Sequence, residues 1–223
     1  VCVESNYSNI KDALENKEHV YTLNLNSLQF DVAEKSLIIG ADGSKKLSPK
    51  IGEFTNLESL SMDINLIHFL PPEVGMLHKL TTLSMNLNKL SALPSEMENL
   101  KNLKSLDLGK NNFNAFPDII TRYSSLETLN FENNPITGLP STMNTLKNLK
   151  ELNLANCFEL LSLPVQITEL PNMETLILSK CVKLKALPEE IINLKNLKVL
   201  DVTGTKLSTK DFQKAVPGCE VRR

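Results

Sequence analysis

The feature that most constrains this chain is a register of apolar residues that returns every 23 or 24 positions. The first apolar residues of successive units are Leu57, Leu80, Leu103, Leu126, Leu149, Met173 and Leu197, at intervals of 23, 23, 23, 23, 24 and 24. A Leu-Pro pair recurs in step at Leu70-Pro71, Leu93-Pro94, Leu139-Pro140, Leu163-Pro164 and Leu187-Pro188, with Phe116-Pro117 in the remaining slot. Each unit reads L-x-x-L-x-L-x-x-N/C-x-L, followed by x-x-L-P-x-x-I-x-x-L-x-x-L. One such unit cannot bury its own leucines, so neighbouring units must stack and share one core.

Each part of the unit has a local physical reading. The alternating x-L-x-L-x part predicts a short strand with its leucines on one face. Proline lacks the N–H a ladder needs, so pairing ends at each Leu-Pro. The spacing I-x-x-L-x-x-L suits a 3₁₀ turn, in which residues three apart share a face. The slot filled by Asn65, Asn88, Asn111, Asn134, Cys157, Cys181 and Thr205 points inward. There a side chain donates to turn carbonyls that would otherwise be buried unpaired. These residues are therefore expected to form a structural ladder and not a binding site, with Asn offering two donors and Cys or Thr one.

In the unit from Leu80, the residues Leu83, Met85, Asn88, Leu90, Leu93-Pro94, Met97 and Leu100 give the pattern in full. At these residues the chain resembles the leucine-rich-repeat family in its short 23-residue Leu-Pro form, and the resemblance runs from about residue 20 to 223. It is similar to bacterial members and to Ras-suppressor-type adaptors, while the Cys157 and Cys181 units resemble the cysteine variant of plant receptor repeats. The resemblance implies an α/β fold: a right-handed solenoid, or horseshoe, with a parallel concave sheet, an N-terminal cap helix and a C-terminal cap. It also implies an interaction module, with many bacterial members exported or surface-associated. An extracytoplasmic or cell-surface address in a bacterium is accordingly expected, with a cytoplasmic one as the alternative.

Residues 1–19 are read as the N-terminal helical cap, 20–206 as the solenoid and 207–223 as the C-terminal cap. The cap helix should run over 8–18, with Ser8 as its cap and Ile10, Ala13 and Leu14 on one side. The first repeat starts at Val20, Leu23 and Leu25 and is degenerate, with Leu28 in the asparagine slot. The step from Val20 to Leu57 exceeds a standard unit by 14 residues, an insertion near 31–46. Within it Asp42-Gly43 reads as a turn between two extended pieces. At the far end Phe212, Val216 and Cys219 should pack in the cap. Cys2 stands where an exported lipoprotein carries its lipid. The start at Val1 points to a processed or trimmed terminus and leaves a removed signal peptide open.

Composition narrows the function classes. Lys plus Arg is 24 and Asp plus Glu 26, giving 24 − 26 = −2, which argues against neutralising phosphates along nucleic acid. No apolar run approaches the ~20 residues of a transmembrane helix. His19, His68 and His78 are the only histidines, and the last two are expected to be solvent-facing loop residues. No nucleophile has a base at a plausible repeat offset. Neither a metal-ligand spacing nor a Gly-rich phosphate loop is present. The chain is therefore read as a non-enzyme with no cofactor and no metal, a monomer with a protein partner.

The register also names the strand residues that face outward. They are Thr22, Ser59, Thr82, Ser105, Thr128, Glu151, Thr175 and Val199; Asn24, Ser61, Ser84, Asp107, Asn130, Asn153, Ile177 and Asp201; and Asn26, Asp63, Asn86, Gly109, Glu132, Ala155, Ser179 and Thr203. These 24 positions hold five acids and no Lys, Arg or aromatic residue, so neither phosphate tracking nor base stacking suits them. A polar or modestly basic protein segment does, with Asp63, Asn86, Asp107, Asn130, Glu132, Glu151 and Asn153 as the candidate contact residues. A solvated sheet face without a ligand is the alternative. Ile64 and Leu87, in adjacent units at the rim, read either as partner anchors or as residues half-buried in the turn. Two other functions stay open: a surface adhesin or structural repeat protein acting by avidity, and an enzyme using the 31–46 insertion.

Overall fold

The computed structural model describes residues 10–27, 37–39 and 42–223. Cys2, Ser8, Leu28 and residues 31–36 of the insertion lie outside the described residues. The chain divides into two compact units, residues 1–112 and 113–223.

In the first unit, helix α1 (Ile10–Leu14) buries Ile10 and Ala13, and a 3₁₀ turn follows at Lys17–His19. The helical part is thus split between two short elements, the second ending at His19, one residue beyond the expected helix. Strand β1 (Thr22–Asn24) opens the repeats. Strands β2 (Leu37–Ile39) and β3 (Lys45–Leu47) then form an antiparallel pair across Asp42-Gly43. Gly43 there takes φ +77°, a backbone conformation suited to glycine in a tight turn. The repeats continue with β4 (Ser59–Ser61), β5 (Ile67–Phe69), β6 (Thr82–Ser84) and β7 (Ser105–Asp107).

Strands β1, β4, β6 and β7 pair in parallel, with Leu23, Leu60, Leu83 and Leu106 in register and buried. That column is what the period-two pattern dictates: the leucine between two polar residues turns inward, and its flanks stay partly open. A second small sheet, β2-β3-β5, was not legible in the repeat pattern. It forms because the insertion supplies β3, to which Ile67 and Phe69 pair in parallel. His68 consequently lies in a strand and half-buried, its Nδ1 accepting from the Lys45 N–H (3.1 Å). The expectation of a solvent-facing loop histidine is corrected; His78 is exposed.

The second unit stacks β8 (Thr128–Asn130), β9 (Glu151–Asn153), β10 (Thr175–Ile177), β11 (Val199–Asp201) and β12 (Glu220–Arg222), all parallel. Leu129, Leu152, Leu176, Leu200 and Val221 are in register. Helix α2 (Lys210–Ala215) precedes the last strand and buries Phe212, with Val216 and Cys219 buried after it. Phe131 meets Phe113 and Phe116 at ring-centre distances of 5.2 and 5.1 Å, and Tyr123 is also buried in this unit.

The Leu-Pro prolines act alike in both units. Pro71, Pro94, Pro140 and Pro164 all sit extended immediately before a 3₁₀ turn, where their fixed φ is favourable and the missing N–H costs nothing. The turns bury Val74, Met97, Met143 and Ile167, the apolar residues at the three-residue spacing.

Candidate functional site

The inward slot is fully occupied by hydrogen bonds. Asn88 Nδ2 donates to the carbonyls of Met62 (2.9 Å) and Met85 (3.0 Å), while its Oδ1 accepts the Ile67 N–H (2.9 Å). Asn111 repeats the arrangement with Met85, Leu108 and the Leu90 N–H. Asn65 donates to Leu25 (2.8 Å) and Asn134 to Phe131 (3.1 Å). Acceptance by Oδ1 is a role the donor-only reading missed.

Cys157 and Cys181 keep one donation each, to the carbonyls of Phe131 (3.4 Å) and Leu154 (3.1 Å), and Thr205 does the same to Val202 (2.7 Å). A thiol accepts poorly, so the chain answers with one extra residue. The N–H groups of Leu160 and Leu184 turn back to the carbonyls of Cys157 and Cys181 themselves, each at 3.1 Å. That turn accounts for the 24-residue units. Burial pushes the thiol of Cys157 up to about 11 and that of Cys181 up to about 12, so neither is a nucleophile near neutral pH.

On the open face of the first unit, Asp63 is held in place by three donors. Ser84 Oγ (2.6 Å) and the Asn86 N–H (2.7 Å) reach Oδ1, and Ser61 Oγ (3.3 Å) reaches Oδ2. Asn86 Nδ2 donates onward to both oxygens of Asp107, at 3.1 and 3.3 Å, and Asp107 also accepts the Gly109 N–H (2.8 Å). In the second unit Asn130 and Asn153 accept from the N–H groups of Glu132 (3.0 Å) and Ala155 (2.9 Å), and Glu132 accepts from Asn156 Nδ2 (3.2 Å). Glu151 is exposed on β9. The face is thus a pre-ordered layer in which most candidate contact residues already hold one another. Gly109 and Ala155, which the register turns outward, are buried.

Beyond each strand one residue takes a left-handed backbone. These are Ser27, Ile64, Leu87 and Lys110 in the first unit and Asn133, Asn156, Lys180 and Gly204 in the second. Several extend the ladder through their own N–H: Ile64 to Asn86 (2.9 Å), Leu87 to Gly109 (3.0 Å) and Asn133 to Ala155 (2.8 Å). Asn and Gly accept this conformation readily, whereas a β-branched or bulky residue is strained by ~1–3 kcal/mol. Leu66 is left-handed as well. Ile64, Leu66 and Leu87 are each 39% exposed, so Ile64 and Leu87 are partly covered in the turn, as one of the two readings expected, and still present apolar surface to water.

A second, solvent-facing asparagine ladder escaped the sequence reading. Asn56, Asn102, Asn148, Asn172 and Asn196 donate to the carbonyls of Glu18, His78, Ser124, Lys147 and Pro171, at 2.7–2.8 Å. Its signal is the Asn that directly precedes the first apolar residue in each of those units. Surface pairs Glu127–Lys150 (2.6 Å), Glu159–Lys183 (2.6 Å) and Glu174–Lys198 (2.8 Å) bridge successive repeats of the second unit. A groove beside α2 is lined by Leu187, Pro188, Ile192, Ser208, Asp211 and Phe212. Among the described residues, no group of His, Cys, Asp and Glu could hold a metal ion, and no helix is long and apolar enough to cross a membrane.

Comparison with known proteins agrees with this architecture. A leucine-rich-repeat family model matches residues 55–113, a second matches 125–146, and a Zer-1-like leucine-rich-repeat model matches 140–218. No curated protein matches the chain. Among solved structures it is similar to the leucine-rich-repeat domain of the type III effector XopL (22% identity, 95% of this chain and 79% of that one, TM-score 0.70). It is also similar to an internalin of Listeria monocytogenes (18%, 94% and 62%, TM-score 0.65). A third likeness is to the Arabidopsis receptor kinase HAESA, solved with the peptide hormone IDA and the co-receptor SERK1 (26%, 93% and 34%, TM-score 0.74). The chain therefore spans about a third of that receptor chain.

Proposed function

The chain is a leucine-rich-repeat protein, and from that premise we propose that it is a non-catalytic module that binds a protein partner on its open strand faces. The fold commonly mediates protein–protein interaction. In the first unit the contact residues are Asp63, Asn86 and Asp107; in the second they are Asn130, Glu132, Glu151 and Asn153. We read residues 20–206 as the repeat body and its two ends as caps. The bacterial resemblance of the repeats extends the proposal to an extracytoplasmic or cell-surface monomer.

One observation carries this reading. The open positions of β1, β4 and β6–β11 hold five acids and no Lys or Arg, and Arg222 on β12 is paired with Glu220. Side chains and N–H groups within the first unit already fix the carboxylates of Asp63 and Asp107. A pre-ordered surface of one charge sign binds without a large ordering cost and favours a basic segment. Immobilised protein should enrich basic peptides from a displayed random dodecamer library. Asp107→Lys with Glu132→Lys should abolish that capture while the circular dichroism spectrum is unchanged. Equal capture by the doubly reversed variant would remove the open faces from consideration.

A further inference from the structure

We infer that Ile64, Leu66 and Leu87 form an aliphatic anchor strip for an extended protein segment that carries an aliphatic side chain beside a Lys or Arg. Resting on the protein-binding reading above, this names the side chains that grip the partner and the chemistry they select.

The repeats serve as one another's controls. The slot of Ile64 and Leu87 holds Asn133, Asn156 and Gly204 elsewhere in the chain, with the same left-handed backbone. In Asn133 and Asn156 the N–H bond to the next rung is also the same. Folding therefore has no need of an aliphatic residue there. Ile64 and Leu87 are unfavourable twice over, in a strained backbone and in apolar surface left to water. They occupy neighbouring rungs: Ile64 donates to the carbonyl of Asn86, the residue just before Leu87. Leu66, again left-handed and exposed, widens the strip by one residue. Lys110 takes the slot on the following rung and closes the strip with a charge.

Charge selects the occupant. Asp63 directly precedes Ile64, and Ser84 and the Asn86 N–H hold its carboxylate in one position. Asp107 is joined to the same Asn86. The open-face positions of this unit include no Lys or Arg. A segment that lays an aliphatic side chain on the strip thus meets fixed carboxylates beside it, which attract a basic neighbour and repel an acidic one. An anionic lipid surface is disfavoured for the same reason.

A displayed random dodecamer library selected on the full chain tests the inference. Enriched peptides should pair an aliphatic residue with Lys or Arg within two positions. By fluorescence anisotropy, Ile64→Asn with Leu87→Asn should weaken a synthesised winner at least tenfold without lowering the thermal midpoint. Asn is the residue the chain itself uses in this slot, so loss of binding with a retained midpoint is loss of the anchor. Asp63→Asn should weaken binding less, and should flatten its salt dependence. Undiminished binding by the Ile64/Leu87 variant overturns the strip, as does enrichment of acidic peptides or binding only to phosphatidylserine vesicles. Peptides lost on the Asp107/Glu132 reversal yet kept by the Ile64/Leu87 variant overturn the strip and leave the broader reading standing. A library that enriches nothing overturns both.

Discussion

The two units solve the same stacking problem with different side chains. In the first, Asn65, Asn88 and Asn111 fill the inward ladder and donate to carbonyls, and Asn88 and Asn111 also accept an N–H. In the second it passes from Asn134 to Cys157 and Cys181, which donate once and leave the accepting role to backbone, and to Thr205, whose hydroxyl donates to Val202 and accepts the Leu207 N–H. The outer turns differ too. Gly52 and Gly75 let neighbouring turns of the first unit approach closely, and a Cβ on Gly75 would lie 2.3 Å from the Glu96 carbonyl oxygen. The second unit fills the matching places with the buried Thr121 and Thr168, whose hydroxyls donate to the carbonyls of Asp118 and Val165. Identical coils thus arise from unlike local chemistry, and each choice leaves its own weakness.

The sharpest test of that contrast is the ladder itself. Asn111→Ala strands the Leu90 N–H in the core and removes the donations to the Met85 and Leu108 carbonyls, and should lower stability by about 3 kcal/mol. Cys157→Ala loses a single weak donation and should cost about 1 kcal/mol. Urea denaturation of both variants, side by side, measures the difference; equal losses would mean that the amide's second role contributes nothing.

Gly75→Ala comes next, at about 2 kcal/mol. The obstructing atoms belong to the Glu96 backbone and cannot swing aside as a side-chain end would. A thermal midpoint equal to that of the parent would show that the turns have slack.

The smallest effect is alkaline. The Cys157 and Cys181 thiols are raised by burial above their unfolded values, so the folded state keeps protons that the unfolded state releases. Their stabilisation is complete below about pH 9, erodes above it and is gone once both have titrated in the fold, costing about 1 kcal/mol per thiol by pH 10. Urea midpoints taken from pH 8 to 10 should fall, and Cys157→Ser with Cys181→Ser should flatten the decline. An undiminished slope in that variant would assign the alkaline loss to other groups.

The repeat length, the buried leucine columns, the 3₁₀ turns after each Leu-Pro and the Asp42-Gly43 turn could all be read before any coordinates. Each follows from residues close in sequence: a period of two for strands, three for the turns, and a proline that cannot pair. Tertiary structure alone decided what depends on the neighbouring rung. Asn88 accepts from Ile67, His68 is drawn into a strand beside Lys45, and Asn56 reaches back to Glu18. The left-handed turn that leaves Ile64 and Leu87 partly exposed belongs here as well, since the N–H bonds that hold it end on the next coil. Local periodicity specifies what one coil must bury; only stacking decides which polar groups meet and which side chains are left facing water.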